Sequence, residues 1–153
     1  MALQEKQPEI RFNLAGPMGM QGVSFAPKVA FFRKDGISGT SNDDFFVAPA
    51  GAFIAQAVIR CDLDLDGSGT VELGTDGNPD ALIDTTDFDA STAGNWATNI
   101  GSASAAAANG LYLPSGDTIR LAVGGTPTQG AVSGCLVYYE LDAMEARGVH
   151  FDL

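Results

Sequence analysis

Histidine is rare in this sequence, and basic side chains are few compared with acidic ones. A single histidine, His150, leaves little room for a Ser/His/Asp arrangement, and no G-x-S-x-G, phosphate-loop or dinucleotide-binding motif is present. Eight lysines and arginines are outnumbered by nineteen aspartates and glutamates, and the resulting charge of −11 argues against nucleic-acid binding, which needs a basic surface. We therefore predict a protein that is not an enzyme, with no catalytic residues, no cofactor and no nucleic-acid partner.

Cysteines and long hydrophobic runs are also few. Cys61 and Cys135 both lie in apolar runs, which predicts two buried free thiols, and their spacing with a single histidine excludes a zinc site. No run approaches the ~20 apolar residues that a membrane helix needs, and residues 1–10 lack the apolar core of a signal peptide. We expect a chain made in a cytoplasm and kept there until assembly, with no membrane partner.

Charge is distributed unevenly along the chain. Residues 1–34 hold five basic and two acidic side chains, a net charge of +3, whereas residues 35–153 hold three basic and seventeen acidic ones, a net charge of −14. Two interpretations stay open: a chance imbalance with a solvated tail, or a basic arm that lies on an acidic partner surface.

What is present instead of helical patterns is a series of short strand-like runs. Val, Ile, Phe, Thr and Tyr recur between Gly, Asn, Asp and Pro, which is typical of β-proteins. The fold class that we predict is all-β, a jelly-roll-like antiparallel β-sandwich with an extended N-terminal arm. The predicted strands lie near residues 23–34, 44–48, 51–63, 69–74, 80–84, 110–113, 117–124 and 131–141.

The first 22 residues differ from the rest and are predicted to form the arm, so that residues 1–22 and 23–153 are the two parts of the chain. Prolines and glycines favour an extended conformation there, yet too many side chains are apolar for a freely solvated tail. The body or a partner must bury them. The predicted partner-binding residues are Ile10, Arg11, Phe12, Leu14, Met18 and Met20.

Alternation predicts which sides of two runs are buried. In residues 117–124, Ile119, Leu121 and Val123 are predicted to face in and Arg120 to face out. In residues 51–63, Phe53, Ala55, Ala57, Ile59 and Cys61 share one face and are predicted to point into the core.

The last run, 131–141, is apolar on both faces and should be covered on both. Leu136 and Tyr138 alternate with Val137 and Tyr139, so one of these sets should lie in a subunit contact or under the arm. We therefore predict Tyr138 and Tyr139 as oligomer-contact residues.

The stretch "CDLDLDGSGTVELG", residues 61–74, places Asp62, Asp64, Asp66 and Gly67 at the first ligand positions of an EF-hand loop. The closing glutamate is missing, because Leu73 occupies its position, and the flanking runs are strands. Asp-Gly between two strands favours a hairpin turn. We predict that hairpin and no metal site, although a loose calcium site among the acidic loops near residues 62–89 stays open as an alternative.

Residues 85–110 have no clear strand pattern and are predicted to be loop. Their tryptophan, Trp96, is expected to pack against the sandwich from that loop. An exposed Trp96 would instead indicate a binding face.

The stretch from about residue 45 to 141, about two thirds of the chain, resembles the jelly-roll capsid decoration (cement) proteins of tailed bacteriophages. The resemblance lies in "FFVAPAGAFIAQAVIRCDLDLDGSGTVELGTDGNPDALID" and "SGDTIRLAVGGTPTQGAVSGCLVYYEL". These are turn-and-strand patterns, so no site residue carries over from the family.

The resemblance implies a virion protein on the outside of a capsid, made in the host cytoplasm, that binds the major capsid protein and stabilises the shell. It also implies a homo-oligomer, with a trimer favoured, and an arm that reaches across coat subunits. Two alternatives remain: a carbohydrate-binding jelly roll of a phage tail or fibre, and a bacterial β-sandwich adaptor with no viral role.

Overall fold

The computed structural model describes residues 27–102 and 107–141. The arm predicted for residues 1–22, its six partner-binding residues and His150 lie outside these ranges. Within them the chain forms eight strands: β1 (Lys28–Lys34), β2 (Ser41–Ala48), β3 (Ala52–Leu63), β4 (Thr70–Thr75), β5 (Trp96–Thr98), β6 (Leu111–Leu113), β7 (Asp117–Gly124) and β8 (Ala131–Glu140). None of the described residues forms a helix with the length and hydrophobicity that crossing a membrane requires.

Two antiparallel sheets make up the sandwich. The five-stranded sheet has the order β1-β8-β3-β5, with β6 also pairing with β3, and the three-stranded sheet has the order β2-β7-β4. Ile83 extends the smaller sheet by a single bridge to Leu73 on β4. Strands β1 to β4 alternate between the two sheets, and so do β7 and β8. This is the connectivity of a jelly roll. The predicted all-β sandwich is confirmed.

The core lies between the two sheets. Ile59 and Leu136 from the larger sheet and Leu73 and Leu121 from the smaller one are buried in a single hydrophobic cluster. Each such side chain contributes about 1.5–3 kcal/mol relative to an exposed one.

The predicted alternation in residues 51–63 is half right, because β3 carries a bulge. The pairing register with β8 shifts between Ile54 and Gln56. Ala57, Ile59 and Cys61 are buried as predicted. Before the bulge, Ile54 is buried, although the prediction placed Phe53 and Ala55 in the core there. An extra residue in a strand reverses the faces on either side of it. Phe53 and Ala55, predicted to be core residues, are therefore only half-buried.

The predicted hairpin between residues 51–63 and 69–74 is wrong. Strand β3 pairs with β8, β5 and β6, while β4 pairs with β7 in the other sheet. A turn does occur, since the N–H of Gly69 donates to the carbonyl of Asp66, and Gly67 has a φ of 65°. The turn carries the chain from one sheet to the other. In this jelly roll β3 and β4 lie in opposite sheets, and the Asp-Gly turn between them carries no information about which sheet the next strand joins.

Two further assignments need correction. The strand predicted at 80–84 is reduced to the bridge at Ile83. Residues 96–98, predicted to be loop, form β5 and pair with Val58 to Arg60 of β3. Both segments are too short for alternation to reveal them, and β3 supplies the pairing that makes β5 a strand.

Candidate interaction surface

The outer face of the five-stranded sheet is apolar. Strand β1 turns Ala30 and Phe32 toward the core, which leaves Val29 and Phe31 on the outside. Phe31 is 80% exposed, the highest value among the large apolar side chains of the described residues. We call this side the outer apolar face, made of the outward side chains of β1, β8, β3, β5 and β6.

Strand register arranges the face in rows. Phe31 lies opposite Cys135, which in turn lies opposite Val58 of β3. In a second row Val29 lies opposite Val137. Cross-strand neighbours stand about 4.5–5.5 Å apart, so each row forms a continuous strip of side chains.

A third row is aromatic. Phe53 of β3 lies between Tyr139 of β8 and Tyr112 of β6. Tyr112 is half exposed. Together with the first two rows, it makes the outer apolar face span the width of the sheet.

The charged groups on this face are paired within the chain. The guanidinium of Arg33 contacts the carboxylate of Asp35, and that of Arg60 contacts Asp62. The hydrogen bond from Arg33 lowers the pKa of Asp35 below its ordinary value. The two pairs leave the face with no net charge.

The opposite outer face, on the three-stranded sheet, is acidic. Arg120 there contacts two carboxylates, those of Asp44 and Asp76. On β4, partial burial raises the pKa of Glu72, and the nearby carboxylates of Asp80 and Asp84 raise it further. The molecule thus presents one neutral apolar face and one face with excess negative charge.

The two predicted oligomer-contact residues lie on opposite sides of β8. Tyr138 points inward, and its ring centroid is 4.8 Å from that of Phe46. Tyr139 lies on the outer apolar face, in the aromatic row. Of the two alternating sets in this strand, Leu136 and Tyr138 belong to the core, which leaves Val137 and Tyr139 for any contact with another molecule. That contact stays a prediction.

Sequence reasoning missed Phe31 and Val29 as surface residues. The signal was present, since "KVAFFRK" is apolar at four successive positions and a strand can bury only one side of them in its own core.

Two other expectations in this region are corrected. Cys135 is half-buried on the outer face, unlike the buried Cys61, and both are free thiols. Trp96, expected to pack against the sandwich, is 66% exposed on β5.

Two carboxylates of the acidic segment, residues 62–89, accept several hydrogen bonds from other residues of the chain. Asp66 accepts hydrogen bonds from the backbone N–H groups of Thr128 and Gln129 and from the Thr128 hydroxyl. Asp89 accepts in the same way from Ser91 and from the amide of Asn95. These hydrogen bonds lower the pKa of both carboxyls.

Across residues 27–102 and 107–141, no three His, Cys, Asp or Glu side chains are grouped closely enough to hold a metal ion.

No protein-family model matches the sequence. No curated protein matches it either.

Several solved structures share the fold. A chain in the capsid of Ralstonia phage GP4 aligns with a TM-score of 0.57 and 16% identity, over 85% of this chain and 95% of that one. A chain of the acidic stable capsid of Helicobacter pylori bacteriophage KHP30 aligns with a TM-score of 0.53 and 13% identity, over 77% and 91%. A chain of the cyanophage Pam1 capsid asymmetric unit aligns with a TM-score of 0.50 and 21% identity, over 77% and 89%. Likeness at this level of identity establishes a common fold, a jelly roll that also occurs in phage capsids.

Proposed function

We propose that this chain is a structural protein of a phage virion that binds the outside of the capsid and stabilises it, without enzymatic activity. In this proposal residues 1–22 contact the major capsid protein. The sandwich self-associates as a closed oligomer, with a trimer favoured, and the protein is made in the host cytoplasm before it joins the particle. The occurrence of the fold in three phage capsids supports this role.

The contrast between the two outer faces is the observation that carries the proposal. A protein on a capsid has one side against other subunits and one side in water. The outer apolar face, with Phe31 80% exposed, suits the first environment. The acidic face around Glu72 and Asp44 suits the second, because like charges keep exposed surfaces apart.

Sedimentation with capsids tests the proposal. Purified chain is mixed with empty capsids of the parent phage, the particles are pelleted, and the pellet is assayed for the chain. The heat-induced disruption of the capsids is followed with and without added protein. We expect saturable binding and a higher disruption temperature. Failure of the chain to pellet with the particles would refute the proposed function.

Carbohydrate binding is the second candidate, and one observation favours it. Trp96 and Tyr112 are 66% and 49% exposed on the two strands that pair with the far side of β3. Exposed aromatic rings offer flat apolar surfaces with a polar edge. Binding on a glycan array that is lost in Trp96→Ala, together with no binding to capsids, would favour this alternative.

A further inference from the structure

We infer that the outer apolar face, centred on Phe31, is the surface through which copies of this chain bind one another, an inference that rests on the proposed function for its expectation of self-association. Three features of the described residues support a second copy as the occupant: the sizes of the side chains along the central row, the charge balance of the face, and the inward packing of the rest of β8.

The central row has a projecting side chain beside small ones. Phe31 stands on the edge strand β1, and the next positions across the sheet are Cys135, Val58 and Thr98. A phenyl ring next to a thiol, an isopropyl group and a hydroxyl produces a ridge and a shallow depression on the same surface. Phe31 of one copy can therefore lie over the small side chains of the next, which in turn offers its own Phe31. A projecting group at one place on the molecule that fits a depression at another is what a closed ring of identical chains needs.

Charge selects a second copy over a charged partner. Each chain carries a net charge of −11. Two copies meet with the least electrostatic repulsion through surfaces that add no like charge to the contact. The outer apolar face meets this condition, because Arg33 and Arg60 are each paired with an aspartate of their own chain. A basic partner would instead be drawn to the carboxylates around Glu72.

The inward side of β8 cannot contribute to a contact. Leu136 is fully buried and Tyr138 packs against Phe46. The apolar side chains of β8 that remain for contact with another molecule are therefore Cys135, Val137 and Tyr139. Those three side chains lie on the same face as Phe31. The self-association surface therefore combines the outward residues of β1 and β8, with Phe31 as its most exposed anchor.

Phe31→Asp tests the inference, with Val47→Asp as the matched control. Val47 is 75% exposed on β2 of the other sheet, so both substitutions place a carboxylate at an exposed apolar position. Sedimentation velocity of the full chain, without capsids, follows self-association up to tens of micromolar protein. We expect Phe31→Asp to raise the dissociation constant at least about 30-fold, the effect of an aromatic hot spot, and Val47→Asp to leave it unchanged. Phe31→Ala, which adds no charge, should weaken association in the same direction.

Several outcomes would overturn the inference. These are a wild-type chain that stays monomeric at tens of micromolar, Phe31 variants that associate like the wild type, and an equal loss in Val47→Asp. Unchanged self-association with lost capsid binding in Phe31→Asp would assign the face to the coat protein instead. Capsid binding is measured separately. Self-association through Phe31 without capsid binding refutes the proposed capsid role and leaves this inference standing, whereas capsid binding by a monomer refutes the self-association and leaves the capsid role standing.

Discussion

Asn99 shows how a single buried side chain completes the five-stranded sheet. Along one edge of β3, β6 pairs with Ala52 to Ile54 and β5 pairs with Val58 to Arg60, which leaves a gap between them. The Asn99 side chain is fully buried in that gap. Its Oδ1 accepts from the N–H of Ala57 at 2.7 Å, and its Nδ2 donates to the carbonyl of Ala107 at 2.9 Å. An amide side chain here replaces the hydrogen bonds of a missing strand.

Asn99→Ala should therefore destabilise the protein by about 1–3 kcal/mol, because it leaves the buried N–H of Ala57 without a partner. The carbonyl of Ala107 keeps a second hydrogen bond, from the N–H of Gly110. Urea denaturation followed by circular dichroism measures the loss. The control is Asn42→Ala, an exposed asparagine on β2, which should change stability by less than about 0.5 kcal/mol. Equal stabilities of the two variants would contradict this role of Asn99.

Asp66 should make the fold sensitive to acid. Its folded pKa is lowered, so its contribution to stability is present above the unfolded pKa of about 3.9 and is lost as the pH falls through the folded value. Asp66→Asn should lower the urea midpoint at pH 7, and the gap to the wild type should narrow in strong acid. A gap that is independent of pH would contradict this.

Glu72 should behave in the opposite way. Its raised folded pKa means that the charged form is disfavoured in the fold, so the penalty applies above the folded pKa and disappears as the pH falls through it. Glu72→Gln should raise the urea midpoint at pH 7 and match the wild type in acid. A variant less stable than the wild type at pH 7 would show that Glu72 makes a favourable contact as a carboxylate.

At the scale of elements, β8 is the strand that joins the larger sheet, since it pairs with both β1 and β3. Gly134 lies at its centre, and a Cβ there would overlap the carbonyl oxygen of Val58 and lie 2.6 Å from the ring of Phe32. The missing side chain lets Phe32 lean across β8 toward Phe45, with ring centroids 4.5 Å apart. A glycine in the middle of a strand here marks the close approach of another residue.

Gly134→Ala should cost about 1–3 kcal/mol through overpacking. Gly77→Ala is the matched control, because no atom lies within 4 Å of a Cβ built at Gly77. There the substitution should be neutral or stabilise the chain slightly by restricting the unfolded state. Chemical denaturation of both variants gives the comparison, and a Gly134→Ala protein as stable as the wild type would mean that β8 shifts without cost.

The elements that sequence reasoning predicted correctly are those with clear alternation. In β7, Ile119, Leu121 and Val123 are buried as their spacing predicts, because the strand is regular along its whole length. The errors share one cause: they depend on partners distant in sequence. Neighbouring strands determine three features that were predicted wrongly: the bulge in β3, the pairing of the short strand β5, and the path of the Asp66-Gly67 turn from one sheet to the other. The outer apolar face could not be predicted for the same reason, because it depends on the strand register that places Phe31 beside Cys135 and Val58.

At the scale of the whole molecule, the basic and apolar residues near the N-terminus contrast with the acidic body. Deletion of residues 1–22 should leave a cooperative β-type melt, because both sheets and the hydrophobic cluster between them, from Ile37 to Leu136, lie within the described residues. The same deletion should abolish binding to capsids, since burial of each large apolar side chain of the arm contributes about 1.5–3 kcal/mol. Sedimentation with capsids compares the two proteins. Binding by the deleted chain at wild-type affinity would exclude the arm as the anchor.

Cryo-electron microscopy of empty capsids saturated with the purified chain tests the central claim most directly. The account predicts additional density on the outer surface of the shell, at regular lattice positions, into which the β-sandwich fits with its outer apolar face against another subunit and its acidic face toward solvent. A reconstruction identical to that of the bare capsid, or density on the inside of the shell, would contradict it.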